Sequence, residues 1–109
     1  MKKPTINASL IKKLRKVKTL IKKGWCQGAL ARDKNGFEVG YLNRGAASYC
    51  LHAAATIEKL KPSENDFLSK AATEMGYLNE VTFNDHNDTT KADVLKFLDK
   101  CIERAKDEN

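Results

Sequence analysis

The chain has 109 residues, 41% of them hydrophobic and 31% charged, with a formal net charge of +6. That is one domain's worth of chain (single domain 1–109), long enough to bury a core without disulfides or metal, and its balance of apolar and charged residues excludes both a membrane protein and a disordered one. The charge is uneven: residues 1–23 carry nine basic side chains and no acid, whereas the remainder carries 11 basic and 14 acidic ones, so a slightly acidic body bears a strongly basic first segment.

The opening Met-Lys-Lys-Pro-Thr leads into lysines and not into an apolar run, so no signal peptide is expected. The cysteines Cys26, Cys50 and Cys101 are odd in number and lack any Cys-x-x-Cys spacing. They read as buried free thiols in a reducing cytoplasm, not as a disulfide framework or a zinc site.

Residues 8–23 repeat Leu10, Leu14, Val17 and Ile21 at helical spacing, widened by Ile11 and Leu20. Lys12, Arg15, Lys16, Lys22 and Lys23 fall on the opposite arc, with Lys13 and Lys18 at its borders. Asn7 or Ser9 is placed to cap this helix and Gly24 to end it. The five basic residues on the outer arc form a candidate partner-binding face for an acidic protein surface or a nucleic acid.

Residues 25–42 suggest a short β-hairpin or extended loop. Asn35-Gly36 is a strong two-residue turn signal, and Phe37, Val39 and Tyr41 alternate with Glu38 and Gly40 as in a half-buried strand. Residues 45–60 are small and apolar around the whole circumference, which predicts a central buried helix with Cys50, Leu51, Ala54 and Ile57 in the core. A third helix is predicted over 63–76, with Ser63 as N-cap, Asp66 as its capping-box acid and Gly76 as C′ residue. Residues 83–88 read as a polar loop. The capping pair Thr90 and Asp93 then opens a last helix over 90–106. The expected fold is mainly α, a compact bundle of about four helices with the hairpin between the first two.

No catalytic, metal or cofactor site emerges. Two apart on a helix, Cys50 and His52 would point about 200° away from each other, so they cannot form a nucleophile–base pair. A pairing of Cys50 with His86 would depend on the fold. Cys50, His52, Asp85, His86 and Asp88 match no closed zinc spacing. Asp85, Asn87 and Thr89 alternate as in a calcium loop but lack its Gly and its closing Glu. The glycines form neither a Walker A nor a dinucleotide fingerprint, and the basic helix lacks the interleaved aromatics of a single-strand binder.

Three segments taken in order do carry a signal: Gly24-Trp25-Cys26-Gln27-Gly28-Ala29-Leu30-Ala31-Arg32-Asp33, then Tyr49-Cys50-Leu51-His52-Ala53-Ala54, then Phe83-Asn84-Asp85 followed by Thr90 to Leu95. From about Val17 to Ala105 the chain resembles a family of small bacterial and phage proteins of unknown function. Ala53 stands where that family often has Gly, and the basic first segment looks peculiar to this sequence. The resemblance implies no activity. It marks Trp25, Cys26, Gln27, Cys50, Asn84 and Asp85 as a cluster, either a set of polar groups knitting the hairpin and loop onto the central helix or the lining of a small ligand pocket. The expected function is a non-enzymatic interaction module of phage or bacterial accessory type, acting through the basic helix. The alternative is a ligand binder or enzyme built on Gln27, Cys50, Asn84 and Asp85. Oligomeric state is left open.

Overall fold

The computed structural model describes residues 7–107. Five helices and a small antiparallel sheet follow in the order α1 (Ala8–Lys23), β1 (Ala31–Asp33), β2 (Glu38–Val39), β3 (Ala46–Tyr49), α2 (Leu51–Ile57), α3 (Pro62–Glu74), α4 (Glu80–Asp85) and α5 (Lys91–Asp107). The sheet order is β2-β1-β3. The mainly α class holds, and the count of four helices becomes five.

Helix α1 buries Leu10, Leu14, Val17 and Ile21, the predicted stripe. It packs along α5 and against α2 and β3. α5 answers with Val94, Phe97, Leu98, Cys101, Ile102 and Ala105. Together with Leu51, Leu68 and Phe83 these form one hydrophobic core. Asn7 stands at the N-cap of α1, and its side-chain amide donates to Ala105 O at 3.0 Å. Thr90 and Asp93 cap α5 reciprocally, Thr90 N–H on the Asp93 carboxylate at 2.9 Å and Asp93 N–H on Thr90 Oγ1 at 3.2 Å.

The expected helix over 45–60 is split. Its first part is strand β3, which pairs with β1 through Ala31↔Tyr49 and Arg32↔Ser48. Trp25 adds a parallel bridge to Tyr49 on the other side. Alanine favours helix locally, but Tyr49 N–H donates to Gly24 O at 2.9 Å and Cys26 N–H to Tyr49 O at 3.1 Å, so the tertiary ladder prevails. The helix proper starts only after Cys50, whose Sγ accepts from Ala53 N–H at 3.3 Å. Cys50, Leu51 and Ala54 are buried as expected, but Ile57 is only half-buried, because the shortened helix carries it to the rim.

The hairpin also differs from expectation. The connection is Asp33 to Gly36, with Gly36 N–H on Asp33 O at 3.0 Å and only Gly36, at φ +88°, left-handed. It is not a two-residue Asn35-Gly36 turn. Asp33 Oδ1 draws the loop together by accepting from Asn35 and Phe37 N–H, both at 2.9 Å. The returning strand has two residues, and Phe37 faces solvent.

Helix α3 begins one residue earlier than expected, with Pro62 in its first turn and Lys61 at the N-cap. Glu64, not Asp66, reaches back to Lys61 N–H at 2.7 Å, and Ser63 lies inside the helix. Gly76, at φ +99°, closes α3 in a Schellman motif with Tyr77 N–H on Ala72 O. The polar loop expected from residue 83 is in part the end of α4, whose N-cap Asn79 accepts from Thr82 N–H at 2.9 Å. Phe83 is buried there between the rings of Tyr77 and Phe97.

Candidate functional site

The six residues singled out in sequence come together where the Trp25–Gly28 segment, the start of α2 and the end of α4 meet. Asn84 is the centre and is 1% exposed. Its Oδ1 accepts from Trp25 Nε1 at 2.7 Å and from Leu51 N–H at 3.0 Å. Its Nδ2 donates to Cys26 O at 3.1 Å and to Asp85 Oδ1 at 2.8 Å. Both lone pairs and both protons of the amide are therefore engaged. Gln27 Nε2 donates to Asn84 O at 3.0 Å and to His86 O at 2.8 Å, with Thr89 O at 3.3 Å. Asp85 Oδ1 also accepts from Gly28 N–H at 3.0 Å.

A family model described as a family of unknown function, DUF6197, matches residues 6–104. The chain belongs to that family. No curated protein and no solved structure matches it. The DUF6197 match starts well ahead of Val17, so the basic helix α1 lies within the family's domain and is not an addition to it.

Within the DUF6197 domain the thiols are chemically quiet. Burial pushes Cys26 and Cys50 above the ordinary thiol range, more than Ser48 beside the first and the Ala53 N–H on the second can offset. Burial, opposed by the Arg104 charge, lifts Cys101 to about 12. All three are free and remain protonated at neutral pH. An open groove of about 340 Å³ runs beside the knot, lined in part by Leu30, Cys50, His52, Val81 and Asp85. Of the four residues in the ligand-site alternative, Cys50 and Asp85 reach this groove, whereas the Gln27 amide bonds neighbouring backbone and the Asn84 amide is taken up by Trp25, Cys26, Leu51 and Asp85. Behind it, Glu80 is buried, accepts the Ser69 hydroxyl and lies 3.6 Å from His52 Nδ1. This Ser–Glu–His chain was not foreseen, since its members are spread over α2, α3 and α4. Among the described residues no three His, Cys, Asp or Glu side chains are grouped to hold a metal, and no helix is long and apolar enough to cross a membrane.

The basic face has a simple geometry. Lys13 and Lys18, at the borders of the apolar stripe, are half-buried and paired, with Glu64 at 2.7 Å and Asp99 at 2.5 Å. Lys12, Arg15, Lys16, Lys22 and Lys23 are exposed, and among the described residues none of them has a carboxylate within 4.0 Å. Two further lysines border this face. Lys91 donates to Lys22 O at 2.7 Å, at the negative end of the α1 dipole. Lys59 approaches from the turn after α2 and shares a groove with Lys12 and Lys16. Neither was foreseen, because they belong to α1's surface only through the packing of α5 and α2.

Proposed function

We propose that this DUF6197 domain is a non-enzymatic binding module, of phage or bacterial accessory type, acting in the cytoplasm and holding a polyanionic partner on the exposed face of α1. The observation that supports this reading is the division of the cations. The two at the borders are neutralised by Glu64 and Asp99, and the five across the centre have no carboxylate partner among the described residues. Such a face attracts any array of negative charge. The saturated Asn84 knot and the protonated thiols leave the domain's other conspicuous residues with structural work to do.

The test is a fluorescence-anisotropy titration of the full chain with labelled duplex DNA, RNA of equal length and heparin, at two salt concentrations. If the five cations each meet one phosphate, the log–log salt slope for duplex DNA is about −4 to −5, at roughly −0.9 per contact. The Lys16→Glu, Lys23→Glu double variant is expected to bind at least tenfold more weakly with an unchanged circular dichroism spectrum, since both side chains point away from the core. Absence of binding tighter than roughly 100 μM at low salt, the weak limit of non-specific association, overturns the reading.

A further inference from the structure

Lys59 is the only residue other than glycine with positive φ among the described residues, at +62°. It occupies the C′ position of a Schellman motif that ends α2: Leu60 N–H donates to Ala55 O at 3.1 Å and Lys59 N–H to Thr56 O at 3.0 Å. Glycine is the residue such a position favours, because an L side chain there crowds its own carbonyl. A lysine at this point aims its charge beside α1. Lys59, Lys12, Lys13 and Lys16, with Glu58, line an open groove of about 350 Å³ between the two helices. Lys13 is neutralised by Glu64. Three ammonium groups against the single carboxylate of Glu58 therefore set the charge of the groove.

We propose that this groove seats one backbone phosphate of a nucleic-acid duplex, held by Lys12 and Lys16 from α1 and by Lys59 from the turn after α2. The proposal rests on the reading that α1 meets a polyanion, and it names that polyanion. Lysine meets a phosphate oxygen as a point charge. Two observations favour a nucleic-acid duplex over other polyanions. The exposed positions of α1 are Ala8, Ser9, Lys12, Arg15, Lys16, Thr19, Lys22 and Lys23. They offer no aromatic or large apolar anchor for a protein interface and nothing to insert into a bilayer, since the apolar stripe is already in the core. Neither the face nor the groove holds an aromatic ring on which unpaired bases stack, so a duplex fits better than a single strand.

The decisive variant is Lys59→Gly in the full chain, which suits the turn and so leaves the fold intact. Titrated with a labelled 20-base-pair duplex, it is expected to bind several-fold more weakly, with a salt slope shallower by about 0.9, the loss of one phosphate contact. Lys59→Arg keeps the charge and is expected to retain both affinity and slope. If Lys59→Gly binds with unchanged slope while Lys16→Glu, Lys23→Glu loses binding, the phosphate seat is wrong and the polyanion reading stands. If the natural chain does not bind the duplex but binds heparin, the phosphate seat falls and the polyanion reading stands; if it binds none of duplex DNA, RNA and heparin, both fall. Competition by polyglutamate as effective as that by unlabelled duplex overturns the phosphate assignment. Capture by phosphatidylserine vesicles in preference to duplex overturns the nucleic-acid source.

Discussion

The Asn84 side chain ties three stretches of chain to one point, the Trp25–Cys26 segment, the start of α2 and the end of α4. A buried amide with every donor and acceptor engaged is favourable only as long as each partner stays in place, because an unmade bond in the interior costs more than a made one returns. Asn84→Ala leaves Trp25 Nε1, Leu51 N–H and Cys26 O without their partner. The expected loss is about 3–5 kcal/mol in urea unfolding, at roughly 1–3 kcal/mol per orphaned group, a large share of the 5–15 kcal/mol typical of a domain. Asn84→Asp is expected to fare no better, since its second oxygen would face Cys26 O and the Asp85 carboxylate. At this scale the sequence was informative about which residues matter. The family resemblance marks Gln27, Asn84 and Asp85 as members of one cluster, and the structure brings them together. Their partners were not legible, because six of the acceptors and donors involved are backbone groups of Cys26, Gly28, Leu51, Asn84, His86 and Thr89, which carry no residue-type signature.

Gly24 shows how elements are decided by what lies across from them. Its φ of −176° is open to any residue. A Cβ there, however, would lie 2.2 Å from Ala47 O and 3.0 Å from Ser48 Cα, both backbone atoms of β3. Glycine is present so that the end of α1 and β3 can touch. Gly24→Ala is expected to cost about 1–3 kcal/mol or more through forced separation of the two backbones. Hydrogen exchange should show the loss first at the amides of Cys26 and Tyr49, which bridge them. The same contact explains why residues 46–49 are extended where the sequence alone predicts a helix. Alanine, serine and tyrosine at those positions are compatible with a helix, and only the neighbouring strand β1 and the Trp25 bridge select an extended chain. The long amphipathic elements α1 and α5 were legible because their own periodicity specifies what they bury. The six-residue α4 has too few turns to show a period, although Asn79 ahead of Glu80 was a usable capping signal.

Across the whole molecule, charge is arranged so that α1 is tethered to the body at its edges. Lys13 meets Glu64 of α3, and Lys18 meets Asp99 of α5. Burial raises the Glu64 carboxyl, but the bond from Lys13 Nζ, the Lys61 N–H and both lysine charges outweigh it and hold the group below the ordinary carboxylate value. A carboxyl lowered on folding contributes stability that is fully present above its unfolded value of about 4.3 and is lost as pH falls through the folded value beneath it. The melting-temperature gap between the natural chain and Glu64→Gln is therefore expected to be constant above about pH 5 and to close below about pH 4, as calorimetry across that range would show. The same tethering spans nearly the full length of the described chain. Asn7 bonds to Ala105 O, 98 positions away, and α1 lies along α5. Helix α1 thus waits, during synthesis, for a helix made more than 60 residues after it. Until then the part of its Leu10, Leu14, Val17 and Ile21 stripe that faces α5 is bare beside a row of lysines. For that interval α1 keeps the character of an amphipathic cationic segment, and the emergence of α5 completes its cover.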